Sequence, residues 1–317
     1  MIDQFGREII YLRLSVTTQC NLNCLYCRPG GCPDSQPRRL LSASEIGRIV
    51  GCMAGLGIRK VRLTGGEPLL RRDLTAIIRA VLAAGAIEDL SMTTNAQGLA
   101  ARAAGLREAG LQRINISLDS LRPDRFSRIT GGGSLDQVLA GIDACAAVGL
   151  APIKLNVVLI RGINDDEIAD FIGLTRDRPL ELRFIELMPM NELDSDPARM
   201  VTGSEILAAW PALQRLPVRQ SGQVAEDFRL PGHLGTVGFI RPISHRFCPT
   251  CNRIRLTADG RIKPCLGDNG EVTLLDALNG SDDELRQVIA DAIWHKPEGH
   301  QFAAGFRPLR GMDRTGG

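Results

Sequence analysis

Two groups of three cysteines are the residues in this sequence best able to carry out chemistry. Cys20, Cys24 and Cys27 have the spacing CxxxCxxC. Three thiolates on one tight loop can hold three irons of a four-iron cluster and leave the fourth iron open to a substrate or a cofactor. A structural zinc knuckle that takes Cys32 as its fourth ligand is the alternative on spacing alone.

The second group lies near the C-terminus. Cys248 and Cys251 form a CxxC pair, and Cys265 follows in the same region. Three cysteines again suit a cluster with one open iron, although a zinc site completed by His245 is equally compatible with the spacing. The sequence has nine cysteines and no evident secretory signal, which favours metal binding over a disulfide framework.

Basic residues next to the second group are suited to binding an anion. Arg253 and Arg255 stand two apart in a predicted strand, so their side chains share one face and can converge on one ligand. A solvated basic edge is the alternative. Charges inside a barrel are costly unless a counter-ion is bound, so these residues favour an anionic ligand. The further basic residues that predicted strands would aim inward are Arg13, Lys60, Arg62 and Arg183.

The elements that position these residues alternate between strand and helix. One predicted helix begins with a capping box at Ser42 and Glu45, and another begins similarly with Asn164 and Glu167. A repeat of roughly thirty residues is typical of βα units, whose crossovers make neighbouring strands parallel. The predicted strands are residues 11–16, 60–64, 89–93, 113–118, 153–159 and 182–187.

Six such units predict an α/β fold, either an open doubly wound sheet or a partial barrel, with its chemistry at the carboxyl ends of the strands. The first cysteine group follows the first predicted strand, and the sequence GGEP at residues 65–68 follows the second. Prolines interrupt the pattern between residues 190 and 217. We therefore predict one domain of residues 1–210 and a second of residues 211–317, which contains the second cysteine group.

Composition narrows the class of protein further. The net charge of +2 is too small for a general nucleic-acid-binding or membrane-surface protein, so any anion binding should be local. Hydrophobic residues make up 44% of the sequence, and no apolar run approaches the roughly eighteen residues of a spanning helix. We expect a cytoplasmic protein that binds neither nucleic acid nor membrane.

The stretch CNLNCLYC, followed by GGEP, resembles the radical S-adenosylmethionine superfamily. The resemblance implies that the open iron chelates the amino and carboxylate groups of S-adenosylmethionine, and that one electron then releases methionine and a 5′-deoxyadenosyl radical. It also implies that the glycine-rich strand end binds the amino group of the cofactor. Gly65 and Gly66 would permit close backbone approach, and Glu67 and backbone carbonyl groups could accept hydrogen bonds from the ammonium group.

The segment FCPTCNRIRLTADGRIKPCL resembles the C-terminal cluster region of the GTP 3′,8-cyclase family, also called molybdenum cofactor biosynthesis protein A, and the resemblance covers nearly the whole sequence. It implies a lyase that makes (8S)-3′,8-cyclo-7,8-dihydroguanosine 5′-triphosphate from GTP, the first step of molybdenum cofactor biosynthesis. Hydrogen is removed from C3′ of the ribose, and C3′ then attacks C8 of guanine. The implied fold is a partial (βα)6 TIM-like barrel whose open side is closed by a C-terminal α+β iron-sulfur domain.

The same resemblance implies roles for individual residues, together with two 4Fe-4S clusters and S-adenosylmethionine as cofactors. Asn95 and Asn156 match family positions but receive no role. The implied contacts to S-adenosylmethionine are Tyr26, Gly66, Ser117 and Met188. The implied contacts to GTP are Arg13, Arg62, Thr93, Lys154, Arg253 and Arg255. The implied cluster ligands are Cys20, Cys24, Cys27, Cys248, Cys251 and Cys265. The residues expected to be catalytic are Cys20, Cys24 and Cys27 with the terminal Gly316 and Gly317.

The resemblance also implies partners besides GTP. These are an electron donor such as a flavodoxin-like protein, the downstream cyclic pyranopterin monophosphate synthase, and a second copy of this chain in a homodimer. Two rival interpretations remain: another radical enzyme with an auxiliary cluster, such as a peptide maturase, and a non-catalytic zinc or iron-sulfur protein. The Arg253-x-Arg255 pair is not needed by a maturase, and the inward-facing basic set opposes a non-catalytic role.

Overall fold

The structure is a computed structural model that describes residues 1–27, 39–190, 196–302 and 305–316. Cys32 and Gly317, both considered above, lie outside the described residues. Within the described ranges, no helix is both long and apolar enough to cross a membrane.

Six parallel strands at the centre of the fold pair with one another in chain order. This order is that of a partial (βα)6 barrel, since a doubly wound sheet reverses its strand order at a switch point. Each predicted strand agrees with the structure to within one residue at either end. The strands are β1 (Tyr11–Ser15), β2 (Lys60–Thr64), β3 (Asp89–Thr94), β4 (Arg113–Ser117), β5 (Ile153–Leu159) and β6 (Glu181–Glu186). The helices between them are α1 (Ala43–Gly55), α2 (Leu74–Ala83), α3 (Ala103–Glu108), α4 (Pro123–Thr130), α5 (Leu135–Ala147) and α6 (Ile168–Gly173).

The C-terminal part extends this sheet at both edges. Strand β9 pairs in parallel with β6, and β10 pairs in parallel with β1, so one sheet of twelve described strands runs through both parts of the chain. The remaining elements are α7 (Gly203–Ala209), β7 (Gln214–Arg215), β8 (Glu226–Arg229), β9 (Thr236–Ile240), β10 (Arg253–Leu256), β11 (Arg261–Lys263), β12 (Val272–Thr273), α8 (Asp282–Trp294) and α9 (Met312–Thr315).

Strand alternation separates the hydrophobic core from the barrel interior. In β1 the side chains of Leu12 and Leu14 are fully buried in the core, whereas Arg13 between them lines an interior cavity. Strand β2 repeats the pattern, because Leu63 belongs to the core and Arg62 to the cavity. The period of two therefore places apolar residues against the helices and basic residues inside the barrel.

The predicted helix starts were right in one case and wrong in the other. Ser42 and Glu45 form the expected capping box at the start of α1. Asn164 makes no side-chain cap, because its amide group instead donates to the carbonyl oxygens of Asp119 and Val158. Glu167 is fully buried and accepts hydrogen bonds from residues of the β4–α4 connection. These two side chains join loops at the ends of β4 and β5, a long-range role that local spacing does not reveal.

Candidate active site

The first cysteine group lies on the loop that leaves the carboxyl end of β1. The backbone N–H of Cys27 donates to the carbonyl oxygen of Cys24 at 3.0 Å, which makes the loop a tight turn. The backbone N–H groups of Asn23 and Leu25 donate to the end of α4 at 2.9 and 3.0 Å. The side chains of Cys20, Cys24 and Cys27 are all partly exposed, so a cluster could reach them.

The glycines of GGEP bring the end of β2 against this cysteine loop. Gly66 donates to the carbonyl oxygen of Thr17 at 2.8 Å, and Glu67 donates to that of Gln19 at 2.6 Å. A Cβ atom on Gly66 would lie 2.2 Å from the Gln19 oxygen, and one on Gly65 would lie 2.6 Å from the Thr17 oxygen. No side chain fits there, so both glycines are required for the approach of the two loops.

The interpretation of the Glu67 carboxylate as an acceptor for a ligand ammonium group is wrong. The side chain is 1% exposed and accepts hydrogen bonds from the Leu69 N–H, the Thr94 hydroxyl and the Asn95 N–H at 2.7–3.0 Å. Burial raises the pKa of Glu67 to about 7, although the three hydrogen bonds lower it. Glu67 therefore fixes the β3–α3 connection behind the cysteine loop.

Asn95, which had no role from the sequence, contacts a cysteine of the first group. Its side-chain amide nitrogen donates to Asn21 Oδ1 at 2.9 Å and to Cys20 Sγ at 3.9 Å, while its Oδ1 accepts from the Gln97 N–H at 3.0 Å. The Gln97 hydrogen bond fixes the orientation of the amide, because a flipped side chain would set an N–H against an N–H. The nitrogen must then face the sulfur.

Tyr26 is anchored by a residue that the sequence analysis did not identify. Its hydroxyl donates to Asp119 Oδ2 at 2.7 Å, and Asp119 Oδ1 accepts from the Val158 N–H at 2.8 Å. Burial raises the pKa of Asp119 to about 6, although both hydrogen bonds oppose the shift. Asp119 thus joins the cysteine loop to the carboxyl end of β5.

The second cysteine group surrounds the start of β10 and the end of β11. A short 3-10 turn spans Cys248–Thr250, and the Cys251 N–H donates to the Cys248 carbonyl oxygen at 3.1 Å. Burial alone would raise the pKa of Cys251, but nearby Lys296 and Arg253 outweigh it and hold the pKa below the ordinary thiol value. The described residues contain no group of three Cys, His, Asp or Glu side chains arranged to hold a single metal ion. His245, the fourth ligand of the zinc alternative, has a largely exposed side chain that lies 3.9 Å from Glu226 Oε1.

A cavity of about 330 Å³ brings the second cysteine group together with the interior of the barrel. This volume is at the lower end of the range for ligand pockets. Among the described residues that line it, nine are lysine or arginine and one is acidic, Glu186. Its lining includes all six predicted GTP contacts and three of the four predicted S-adenosylmethionine contacts, Tyr26, Ser117 and Met188. Gly66 and the first cysteine group do not belong to the lining.

Three arginines form a row across adjacent strands of this cavity. Arg13 is the register partner of Arg255 on one side and of Arg62 on the other. Burial and the neighbouring guanidinium groups lower the pKa of Arg13 well below its ordinary value, and burial with Arg253 lowers that of Arg255 to about 10. Buried like charges at this spacing repel one another, so the row favours a multiply charged anion.

Polar atoms without partners face the same interior. The hydroxyl groups of Tyr11 and Thr93, both polar atoms of Asn115 and Oδ1 of Asn156 are buried and have no hydrogen-bond partner among the described residues. Thr93, Asn115 and Lys154 are register neighbours across β3, β4 and β5. Since buried polar groups in native proteins are normally satisfied, these atoms fit a polar ligand such as a nucleotide.

The C-terminal tail approaches the carboxyl ends of β1 and β2. Arg255 donates to the carbonyl oxygens of Thr315, at 3.3 Å, and of Gly316. Gly316 has φ of +76°, and a Cβ atom there would lie 2.4 Å from Thr64 Oγ1. The described end of the tail is therefore inside the barrel mouth, where only glycine fits.

Arg113 and Lys296 also line the cavity, although neither was predicted from the sequence to do so. Arg113 begins β4 and pairs through Nε with Asp89 Oδ1 at 2.6 Å. Its alternation with Asn115 would have identified it as inward-facing. Lys296 follows α8 in a loop, so no periodic signal could have placed it.

Comparison with known families agrees with these features. The sequence model of the radical S-adenosylmethionine superfamily matches residues 14–175, and that of Molybdenum Cofactor Synthesis C matches residues 180–302. The solved structure of SuiB from Streptococcus suis bound to S-adenosylmethionine has a TM-score of 0.62 at 14% identity and covers 96% of this chain and 68% of its own. At that identity the likeness shows a shared fold.

Similarity to curated proteins extends over the full length. A GTP 3′,8-cyclase of Alkaliphilus oremlandii is 45% identical over 321 residues, and one of Moorella thermoacetica is 44% identical over 323 residues, with all of each sequence covered. A GTP 3′,8-cyclase of Listeria welshimeri is 46% identical over 307 residues, with 95% of this chain and 92% of the relative covered. The chain therefore belongs to the GTP 3′,8-cyclase family of the radical S-adenosylmethionine superfamily.

Proposed function

We propose that the cationic cavity is where this chain, a radical S-adenosylmethionine lyase, converts GTP to (8S)-3′,8-cyclo-7,8-dihydroguanosine 5′-triphosphate. This conversion is the first step of molybdenum cofactor biosynthesis. The observation that carries the proposal is the row of Arg255, Arg13 and Arg62, which lines the same cavity as the second cysteine group. A nucleotide triphosphate has the charge that such a row requires.

The first cysteine group would hold one 4Fe-4S cluster through Cys20, Cys24 and Cys27. When bound, this cluster and S-adenosylmethionine supply the one-electron chemistry that removes hydrogen from C3′ of the GTP ribose. We assign the cofactor contacts to Tyr26, Gly66, Ser117 and Met188. Of these, Gly66 acts by letting the β2 end approach the loop, because its own Cβ position is filled by the Gln19 carbonyl oxygen.

The second group would hold another 4Fe-4S cluster through Cys248, Cys251 and Cys265, and its open iron would face the guanine base. Phe247 and Tyr11 stack on the guanidinium of Arg253, with ring centroids 5.7 and 5.6 Å from the Arg253 Cζ atom. These contacts hold Arg253 rigid beside the cysteines. The proposed GTP contacts are Arg13, Arg62, Thr93, Lys154, Arg253 and Arg255.

Residues at the amino ends of the barrel strands would exclude water from the bound nucleotide. Lys60 donates to Gln220, and Arg253 donates to the Gly222 carbonyl oxygen at 3.3 Å, so the loop before β8 covers this end of the cavity. Exclusion of water strengthens each charge interaction with the triphosphate. The tail would close the opposite end, where Gly316 contacts Arg255. A catalytic role for Gly316 and Gly317 is part of the proposal.

We keep the division into residues 1–210 and 211–317. Strand β6 pairs in parallel with β5 over six register positions, the last of them at Glu186, so the first domain must include at least the residues up to 186. We also propose that the protein is cytoplasmic and forms a homodimer. A flavodoxin-like or equivalent protein would donate the electron, and a cyclic pyranopterin monophosphate synthase would take the product.

Binding and turnover of purified, anaerobically reconstituted protein test the proposal. Arg62→Met removes one charge from the row but keeps an apolar stem beside Tyr11, and Arg286→Ala removes an exposed arginine as the control. We expect Arg62→Met to weaken GTP binding at least tenfold, with S-adenosylmethionine binding unchanged. Equal GTP affinity in both variants would refute the assignment of the row to the triphosphate.

A further inference from the structure

Arg7 is a buried arginine that the proposed reaction does not use. Its side chain is 5% exposed, and Nε forms an ion pair with Asp3 Oδ2 at 2.7 Å. Asp3 also accepts from the Arg7 N–H at 2.9 Å, so the N-terminal turn is built around this pair. The charge of the guanidinium is thereby balanced, and its remaining N–H groups are directed elsewhere.

Those N–H groups donate to backbone carbonyl oxygens from two distant parts of the chain. One acceptor is Cys248, the first residue of the second cysteine group, at 3.1 Å. The others are Glu298 at 2.8 Å and Pro297 at 2.7 Å, in the segment of residues 296–299 that follows α8. We call this segment the strap. Because the guanidinium fork is planar and rigid, it fixes the Cys248 turn relative to the strap.

Lys296, at the start of the strap, makes the matching contact on the other side. Its side chain is 2% exposed, and its Nζ donates to the carbonyl oxygen of Pro264 at 2.6 Å. Pro264 directly precedes Cys265, the third residue of the cysteine group. The strap thus joins the Cys248 turn, through Arg7, to the Cys265 turn, through Lys296. It also packs on the first turn, since a Cβ atom on Gly299 would lie 3.5 Å from Cys248 Sγ.

The ammonium group of Lys296 has no acidic partner among the described residues, although it is buried and lines the cavity. An unpaired charge in such a place is costly, so a negative group nearby would stabilise it. A cluster held by Cys251 and Cys265 would bring that negative charge as thiolate ligands, and the contact of Lys296 Nζ with the Pro264 carbonyl oxygen places the ammonium beside the Cys265 turn.

We propose that Arg7 and Lys296 are positioning residues for the second cluster: they set the separation of the Cys248 and Cys265 turns, and the Lys296 ammonium offsets negative charge on the bound cluster. The inference rests on the proposed function, because it assumes a cluster at this cysteine group. Hydrogen bonds and charges around cluster ligands tune cluster stability and reduction potential.

Three variants of the full chain test the inference. Arg7→Lys keeps the charge but cannot form the fork, and Lys296→Met keeps the stem but removes the charge. Arg48→Ala is the matched control, because Arg48 also joins distant backbone carbonyl oxygens, those of Leu278 and Gly280, without contacting a cysteine turn. Each variant is reconstituted anaerobically, and iron per chain, the dissociation constants for GTP and S-adenosylmethionine, and the reduction midpoints of both clusters are measured.

For Arg7→Lys we expect iron to fall from about eight toward about four per chain, the loss of one four-iron cluster. S-adenosylmethionine binding should be retained, and GTP binding should weaken at least tenfold. For Lys296→Met we expect the second cluster to be retained with a more negative midpoint, while the midpoint of the first cluster stays unchanged.

Full iron content in Arg7→Lys with unchanged GTP affinity would overturn the positioning role of Arg7. An unchanged midpoint of the second cluster in Lys296→Met would overturn the charge role of Lys296. The inference would also be overturned if the metal-free Arg7→Lys or Lys296→Met protein unfolded at a much lower temperature than metal-free Arg48→Ala, because the two residues would then serve the fold alone. If the unsubstituted enzyme binds two clusters but no GTP, the proposed function fails instead. Loss of iron from the second cluster in Arg7→Lys would still support the positioning role of Arg7 in that case.

Discussion

Lys154 on β5 forms an ion pair with its register neighbour Glu181 on β6, inside the barrel. Glu181 also accepts from Arg183 at 3.1 Å and from Arg219 at 2.7 Å. Burial, reinforced by Arg183, lowers the pKa of Lys154 to about 8, whereas Lys154 and Arg183 overcome burial and lower the pKa of Glu181 to about 2. The carboxylate is therefore ionised at all working pH values, and Lys154 is the member of the pair that titrates.

GTP affinity should consequently fall as the pH rises through 8. Because the pKa of Lys154 lies below its ordinary value, the ammonium is present below about pH 8 and is lost above it. Loss of one cation from the triphosphate site weakens binding by up to about tenfold per pH unit. The dissociation constant for GTP, measured between pH 7 and 9, should rise accordingly.

Lys154→Arg supplies the control for this pH dependence. A guanidinium group stays charged throughout the range, so the rise in the dissociation constant should be flattened in that variant. If Lys154→Arg shows the same rise as the unsubstituted protein, another group is responsible.

Gly66→Ala should prevent assembly of the first cluster. The added Cβ atom would meet the Gln19 carbonyl oxygen at 2.2 Å, so the loop that leads to Cys20 has to shift. We expect about four irons per chain in place of about eight, with S-adenosylmethionine binding lost. Gly105→Ala is the control, because a Cβ atom there meets nothing within 4 Å. Normal iron content in Gly66→Ala would show that the loop can move without cost.

Replacement of Asn95 should alter the first cluster electronically. Asn95→Leu removes the N–H that faces Cys20 Sγ. A hydrogen bond to a ligand sulfur stabilises the reduced cluster, and a bond of about 1 kcal/mol corresponds to a shift on the order of 40 mV for one electron. Redox titration followed by electron paramagnetic resonance should show a more negative midpoint for the first cluster. An unchanged midpoint at full iron content would rule out the contact.

Gly316→Ala should uncouple cluster assembly from turnover. The Cβ atom would lie 2.4 Å from Thr64 Oγ1 in a left-handed backbone conformation. We expect the tail to leave the barrel mouth and product formation to fall at least tenfold, with iron content unchanged. Gly305→Ala carries the same backbone strain, since φ is +71°, but meets nothing within 4 Å. Equal activity in the two variants would mean that the tail position does not matter.

The sequence predicted the barrel strands closely because alternation of apolar and basic residues is a local signal. The same alternation places Arg13 and Arg62 inside, as expected, and the cysteine spacing located both loops. These local signals could not predict that the buried Glu67 accepts, and the buried Asn164 donates, hydrogen bonds between loops, because those contacts join residues far apart in sequence. The role of Arg7 could not be predicted for the same reason, because the carbonyl oxygens that it binds in the Cys248 turn and the strap lie about 240 to 290 residues away.

The most direct test of the central claim uses GTP deuterated at C3′. The reconstituted protein is incubated anaerobically with S-adenosylmethionine, a strong reductant and the labelled GTP, and 5′-deoxyadenosine is analysed by mass spectrometry. We expect GTP-dependent 5′-deoxyadenosine that carries deuterium, together with the cyclised triphosphate. Unlabelled 5′-deoxyadenosine, or an amount that does not depend on GTP, would contradict it.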